Sequence, residues 1–198
     1  MIDKNINTKT PELTEPNGEG QVDLLVRQLL PVDDNKFILD ACCGGRMMWF
    51  DKEQQNTVYI DNRTAEKGHI QHGYNPGHCV NPDYVMDFRD MQFADKTFRL
   101  ILFDPPHAII NEGSIIAKKY GTLDELHWGS DIKKGLEECW RVLNDYGVLL
   151  FKWNDVHIPY KKVLDLVNFN PLVMNIPKER SAKEGTFRSY WFCFMKIP

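Results

Sequence analysis

The sequence predicts an α/β domain built on a mainly parallel sheet, and three observations predict it. Short apolar runs of strand length recur along the chain, stretches of helical periodicity lie between the later ones, and four of the runs close on an aspartate. An apolar run bounded by turn residues reads as a strand buried on both faces, and such strands joined by helices form a parallel sheet covered on both sides.

Residues 1–18 are polar, with Pro11, Pro16 and Gly18, and read as an arm that docks loosely or not at all. Val22, Leu25, Val26, Leu29 and Leu30 have helical spacing and stop at Pro31. Phe37-Ile38-Leu39-Asp40-Ala41 is the first strand, ended by the turn Cys42-Cys43-Gly44-Gly45. Thr57 to Asp61, Tyr84 to Asp87 and Leu100 to Asp104 repeat the pattern. A long segment, Ala108 to Ser130, has the length of a substrate lid. Ile132, Leu136, Cys139, Trp140 and Leu143 mark one face of a helix over 131–143. Gly147 to Phe151 is the fifth strand, a helix follows near 159–167, and a closing pair of strands lies around 172–176 and 189–197.

At 198 residues the chain has room for one domain, taken as 19–198, and so for one site. The net charge of −4 argues against a molecule that binds nucleic acid through its overall charge. Residues 152–198 hold eight Lys or Arg against four Asp or Glu, which leaves a basic C-terminal part that can approach phosphates. There, Arg180, Lys183 and Arg188 flank a Gly185-Thr186 turn. Five cysteines without a C-x-x-C pair suggest neither a disulfide framework nor a zinc ribbon, and a reducing cytoplasm is the expected setting. No run has membrane-spanning length, and no export signal opens the chain. His69, His72, His78 and Cys79 are spaced unlike a standard zinc site, so no metal is expected.

In an open α/β sheet, ligands bind at the carboxyl edge of the strands, so Asp40, Asp61, Asp87 and Asp104 should gather along one rim. Any one of them can equally cap a turn. Glycines that admit a ligand to the backbone, with an acid after the next strand, suit a nucleoside, and Asp61 is placed to accept ribose hydroxyls. A dinucleotide needs G-x-G-x-x-G to seat its pyrophosphate, whereas Gly44 and Gly45 are adjacent and lead into Arg46-Met47-Met48-Trp49.

The turn Asp40-Ala41-Cys42-Cys43-Gly44-Gly45 resembles the donor-binding loop of class I S-adenosylmethionine-dependent methyltransferases. Asp104-Pro105-Pro106-His107 resembles the D-P-P-Y/F/W motif of their amino-methylating, nucleic-acid branch. The resemblance covers roughly residues 36–153. It implies a Rossmann-like, doubly wound, mainly parallel seven-stranded sheet with an antiparallel C-terminal strand, and S-adenosylmethionine as cofactor. It implies further that Asp40 and the backbone from Ala41 through Cys42, Gly44 and Gly45 hold the donor's methionine part, that Asp61 holds its ribose, and that Asp87 with Phe88 holds its adenine.

In such a site Asp104 and the Pro105 carbonyl accept the two N–H bonds of an exocyclic amino group and aim its lone pair at the methyl. Pro105 and Pro106 fix φ and bring no competing N–H. His107 departs from the pattern, and an imidazole there either stacks on the base or takes a proton. Arg46 replaces a small residue, and pairs either with the donor's carboxylate or with a neighbouring acid. Lys152, Trp153 and Asn154 leave the fifth strand on the same rim and are candidate substrate contacts, with Trp153 equally suited to the core. The expected reaction is methyl transfer to an amino nitrogen of a DNA or RNA base. A small-molecule or protein acceptor, and a donor-binding partner subunit without catalysis, are the alternatives.

Overall fold

A computed structural model describes residues 28–70, 77–175 and 188–198. The N-terminal arm, most of the first predicted helix, His72, Arg180, Lys183 and the Gly185-Thr186 turn lie outside those residues. Gln28 to Leu30, the described end of that helix, is not helical.

The strands are β1 (Ile38–Asp40), β2 (Thr57–Asp61), β3 (Tyr84–Val85), β4 (Phe98–Phe103), β5 (Leu143–Asn154), β6 (Val173–Met174) and β7 (Ser189–Met195). They form one seven-stranded sheet in the order β3-β2-β1-β4-β5-β7-β6. The first five pair in parallel, while β7 runs antiparallel to both β5 and β6. The predicted sheet is therefore the observed one. Every residue of β2 is buried, as the unbroken apolar run requires.

The helices are α1 (Ile115–Tyr120), α2 (Trp128–Val142) and α3 (Tyr160–Leu164). The crossovers β1 to β2 and β2 to β3 carry no helix among the described residues, which corrects the expected strand–helix alternation. The first spans residues 41–56, long enough to return a parallel strand as turns alone. The segment from Ala108 to Ser130 also differs from a plain loop, because Ser114 caps α1 within it by accepting the Ala117 N–H at 3.1 Å. No described helix is long and apolar enough to cross a membrane.

On α2, Ile132, Gly135, Leu136, Cys139 and Val142 are buried at helical spacing. The helix packs over β4 and β5. Gly135 makes the fit possible: a Cβ there would lie 2.6 Å from Phe88 and 2.7 Å from Phe103. Strand alternation builds the other part of the core. Phe151 stacks on Phe103 at 5.7 Å and on Phe192 at 5.8 Å, which ties β4, β5 and β7 into one aromatic layer.

The β5 strand is longer than its apolar run, because α2 passes directly into it at Leu143. The chain bulges before Val148, where Tyr146 adopts a φ of 61°. Strand order turns outward on both sides of β1 and β4, and the segments after these two strands face each other across the resulting crevice.

Candidate functional site

At that crevice a cavity of about 280 Å³ is lined by the β1 turn from Asp40 to Gly45, by Asp61 to Arg63, by Phe88, and by Asp104 to His107. The α1 end, Lys119 to Thr122, completes it. The structure thus brings together Asp40, Ala41, Cys42, Gly44, Gly45, Asp61 and Phe88 with Asp104, Pro105, Pro106 and His107. Asp87, Lys152, Trp153 and Asn154 are not among the lining residues.

Asp40 closes β1 and is almost wholly buried. It accepts the Trp49 indole N–H at 2.7 Å and the Cys42 amide at 3.2 Å. Burial outweighs these bonds and pushes its carboxyl up to about 7, with smaller additions from Asp104 and Asp61. The turn then passes through Gly44 with φ of 47°, a left-handed position that suits glycine. At Gly45 a Cβ would lie 2.7 Å from the His78 ring, so the turn rests on that imidazole. The Gly44 N–H donates to Asp61 Oδ2 at 2.9 Å, which links the turn to the acid of β2.

Arg63, two residues beyond Asp61, was not singled out by sequence pattern. Its Nε donates to Asp61 Oδ1 at 3.3 Å, and its two terminal nitrogens donate to the Lys118 and Lys119 carbonyls, each at 2.9 Å. One guanidinium therefore joins the acid of β2 to the last turn of α1. Beyond that turn, Gly121 has φ of 81°, and a Cβ there would lie 2.8 Å from Pro106. The Leu123 N–H donates to the Ala108 carbonyl at 2.8 Å, and the Thr122 hydroxyl accepts from the Ile110 N–H at 3.0 Å. The α1 segment is thus folded back onto the Asp104 to His107 turn.

Asp104 follows β4 directly, and the Lys152 ammonium donates to its Oδ2 at 2.7 Å. Asp104 Oδ1 is buried with no hydrogen-bond partner, and so is His107 Nδ1. Burial lowers the His107 pKa below the ordinary histidine value, while the Asp104 charge opposes it. Two polar groups on one turn are therefore left open to a ligand in a protein that pairs most of its buried groups.

The remaining candidates have structural partners. Asp87 makes a paired contact with Arg89, which also bridges to Asp131 at the start of α2. Trp153 is fully buried and donates its indole N–H to the Ile158 carbonyl at 2.9 Å. The Asn154 amide bonds to the Ser189 hydroxyl at 3.1 Å. Arg46 pairs with Glu53 at 3.2 Å, donates to the Lys52 and Asn81 carbonyls, and lies 3.7 Å over the Tyr59 ring, which fixes its role as a brace of the turn. The His69 and His78 rings lie 5.2 Å apart, and no three His, Cys, Asp or Glu among the described residues are grouped to hold a metal.

The sequence matches no protein-family model and no curated protein. Solved structures similar to it include the PH0226 protein of Pyrococcus horikoshii OT3, at 17% identity and a TM-score of 0.49 over 80% of this chain and 81% of that one. A SAM-dependent methyltransferase of Methanosarcina mazei matches at 12% identity and a TM-score of 0.47, over 81% of this chain and 92% of that one. A geranyl diphosphate methyltransferase solved with GPP and sinefungin matches at 10% identity and 0.47, over 86% and 74%. At such identities and TM-scores these likenesses carry no part of the functional reading, which rests on this chain's own residues.

Proposed function

We propose that the chain is an S-adenosylmethionine-dependent methyltransferase acting on an exocyclic amino nitrogen, with a nucleobase of DNA or RNA as acceptor. The observation that carries the reading is the meeting of the Asp40 to Gly45 turn, Asp61 and the Asp104 to His107 turn in one cavity at the switch of strand order.

The residues present fit the donor. Asp40, a carboxylate raised by burial, suits an ammonium group, which would restore its charge. Asp61 already accepts from Arg63 at Oδ1 and from Gly44 at Oδ2, which leaves Oδ2 a further lone pair for a ribose hydroxyl, and Phe88 offers an adenine an aromatic wall. The bound donor supplies an electrophilic methyl on a sulfonium sulfur. Asp104 Oδ1, unpartnered, accepts an N–H of the amino group and draws the nitrogen lone pair out of conjugation. The Pro105 carbonyl is the second acceptor, and His107 is the planar contact to the base.

Thermal-shift titration tests the donor: S-adenosylmethionine should raise Tm and NAD should not, and the reverse result overturns the site. Labelled-methyl transfer to heat-denatured DNA, total RNA and unmodified protein pools tests the acceptor. Label found on protein alone would replace the nucleobase reading. Asp104→Ala should cut transfer by roughly 1,000-fold while the donor-induced rise in Tm persists. His107→Phe should stay within about 10-fold of the parent if the ring serves by stacking.

A further inference from the structure

The parallel register of β4 and β5 pairs Phe103 with Phe151, so the next residues, Asp104 and Lys152, emerge side by side at the carboxyl edge. Both side chains are about four-fifths buried and meet at 2.7 Å. Lys152 is held from its other side by β7, its ammonium lying 5.8 Å from the ring of Trp191, its register partner. The ammonium is therefore fixed by two strands and is directed at one oxygen of Asp104.

We infer that Lys152 is a positioning residue: by holding Oδ2 of Asp104 it fixes the orientation of this carboxylate and leaves Oδ1 as the oxygen that meets the acceptor. The assignment of an acceptor to Oδ1 rests on the methyltransferase reading, whereas the ion pair does not.

The surroundings explain why a cation is needed. Asp104 faces Lys152 from β5, the buried Asp40 from β1, the thiol of Cys42 on the glycine turn, and His107 on its own turn. Asp61 lines the same cavity, and His157 acts on His107 from beyond β5. Lys152 is the cation in contact with Asp104, whose neighbours otherwise include two more carboxylates. With Oδ2 occupied, Asp104 takes a single N–H. An acceptor that brings no polar hydrogen would leave Asp104 Oδ1 buried and unpaired, so the site selects acceptors that bring a polar hydrogen over hydrocarbon ones.

The test follows the Asp104 side-chain carboxyl carbon by NMR at one fixed pH in the full chain, in the parent, Lys152→Met, Lys152→Gln and Lys152→Arg. The two neutral variants should shift that resonance away from its parent position, and Lys152→Arg should leave it close to the parent. Both neutral variants serve, so that one which fails to fold does not decide the matter. In labelled-methyl transfer to heat-denatured DNA and total RNA, the neutral variants should lose about 100-fold in kcat at pH 7 with donor Kd within about twofold. An unmoved Asp104 resonance, or a loss confined to donor affinity, overturns the positioning role. A parent protein that transfers no methyl to any pool overturns the methyltransferase reading, and the NMR comparison still decides the role of Lys152.

Discussion

Asp40 holds a carboxyl that titrates near 7 because water is excluded from it and two other carboxylates share its surroundings. The folded state therefore holds this proton more tightly than the unfolded chain, whose aspartate titrates near 3.8. The group costs nothing below the unfolded pKa. As pH rises from there to about 7, stability falls, by on the order of 4 kcal/mol at the plateau. Asp40→Asn should consequently raise the Tm of the ligand-free protein by several degrees at pH 7.5 and by much less at pH 4.5. The same change should weaken donor binding roughly 10-fold or more, since a neutral amide cannot neutralise an ammonium. Equal Tm gains at the two pH values, measured by calorimetry, would show that the Asp40 charge is not the cause.

Two elements hold the cavity in shape, and each can be loosened separately. Gly135 of α2 leaves space for Phe88, a lining residue, and for Phe103 in the core. Gly135→Ala gains helix propensity of about 1 kcal/mol but forces aromatic rings to move, at a cost of roughly 1–3 kcal/mol. The expected net result is a lower Tm together with weaker donor binding. A variant with unchanged donor Kd would separate Phe88 from the donor. The α1 segment is held instead by Arg63, whose guanidinium binds its last-turn carbonyls and Asp61 together. Arg63→Met should increase proteolytic cleavage within residues 112–121 by about 10-fold while global Tm changes little. Cleavage at the parent rate would mean that the contacts through Thr122 and Leu123 suffice to hold the α1 segment.

Over the whole molecule, a net charge of −4 limits how the proposed nucleic-acid acceptor could be held. Among the described basic groups at the cavity, Arg63 is occupied by Asp61 and backbone carbonyls, which leaves Lys118 and Lys119 of α1 as the nearby described cations for phosphate. A slope of log affinity against log salt of about −2 is expected for a single strand, falling by about one with Lys119→Ala. A steep slope in filter-binding or fluorescence titration would require a larger basic surface than this one.

How much of this was legible along the chain follows from the range of the forces involved. Strand positions, the glycine turn and the run Asp104 to His107 depend on local hydrophobic pattern and backbone preference, which sequence carries directly. Asp87 and Phe88 are adjacent in sequence, yet only Phe88 reaches the cavity, because Arg89 and Asp131 engage the acid. Trp153 and Lys152 are likewise adjacent and alternate between core and site edge, a division that strand pleating sets once the register is known. Arg63 bridging 55 residues to α1, and Lys152 pairing across 48 residues with Asp104, leave no trace in spacing. The sequence by itself determined the order of the strands and which residues could meet at the carboxyl edge of the sheet. The tertiary structure decided which of them do meet, and which carboxylate oxygens remain open, because strand register, burial and ion pairing join groups that are distant along the chain.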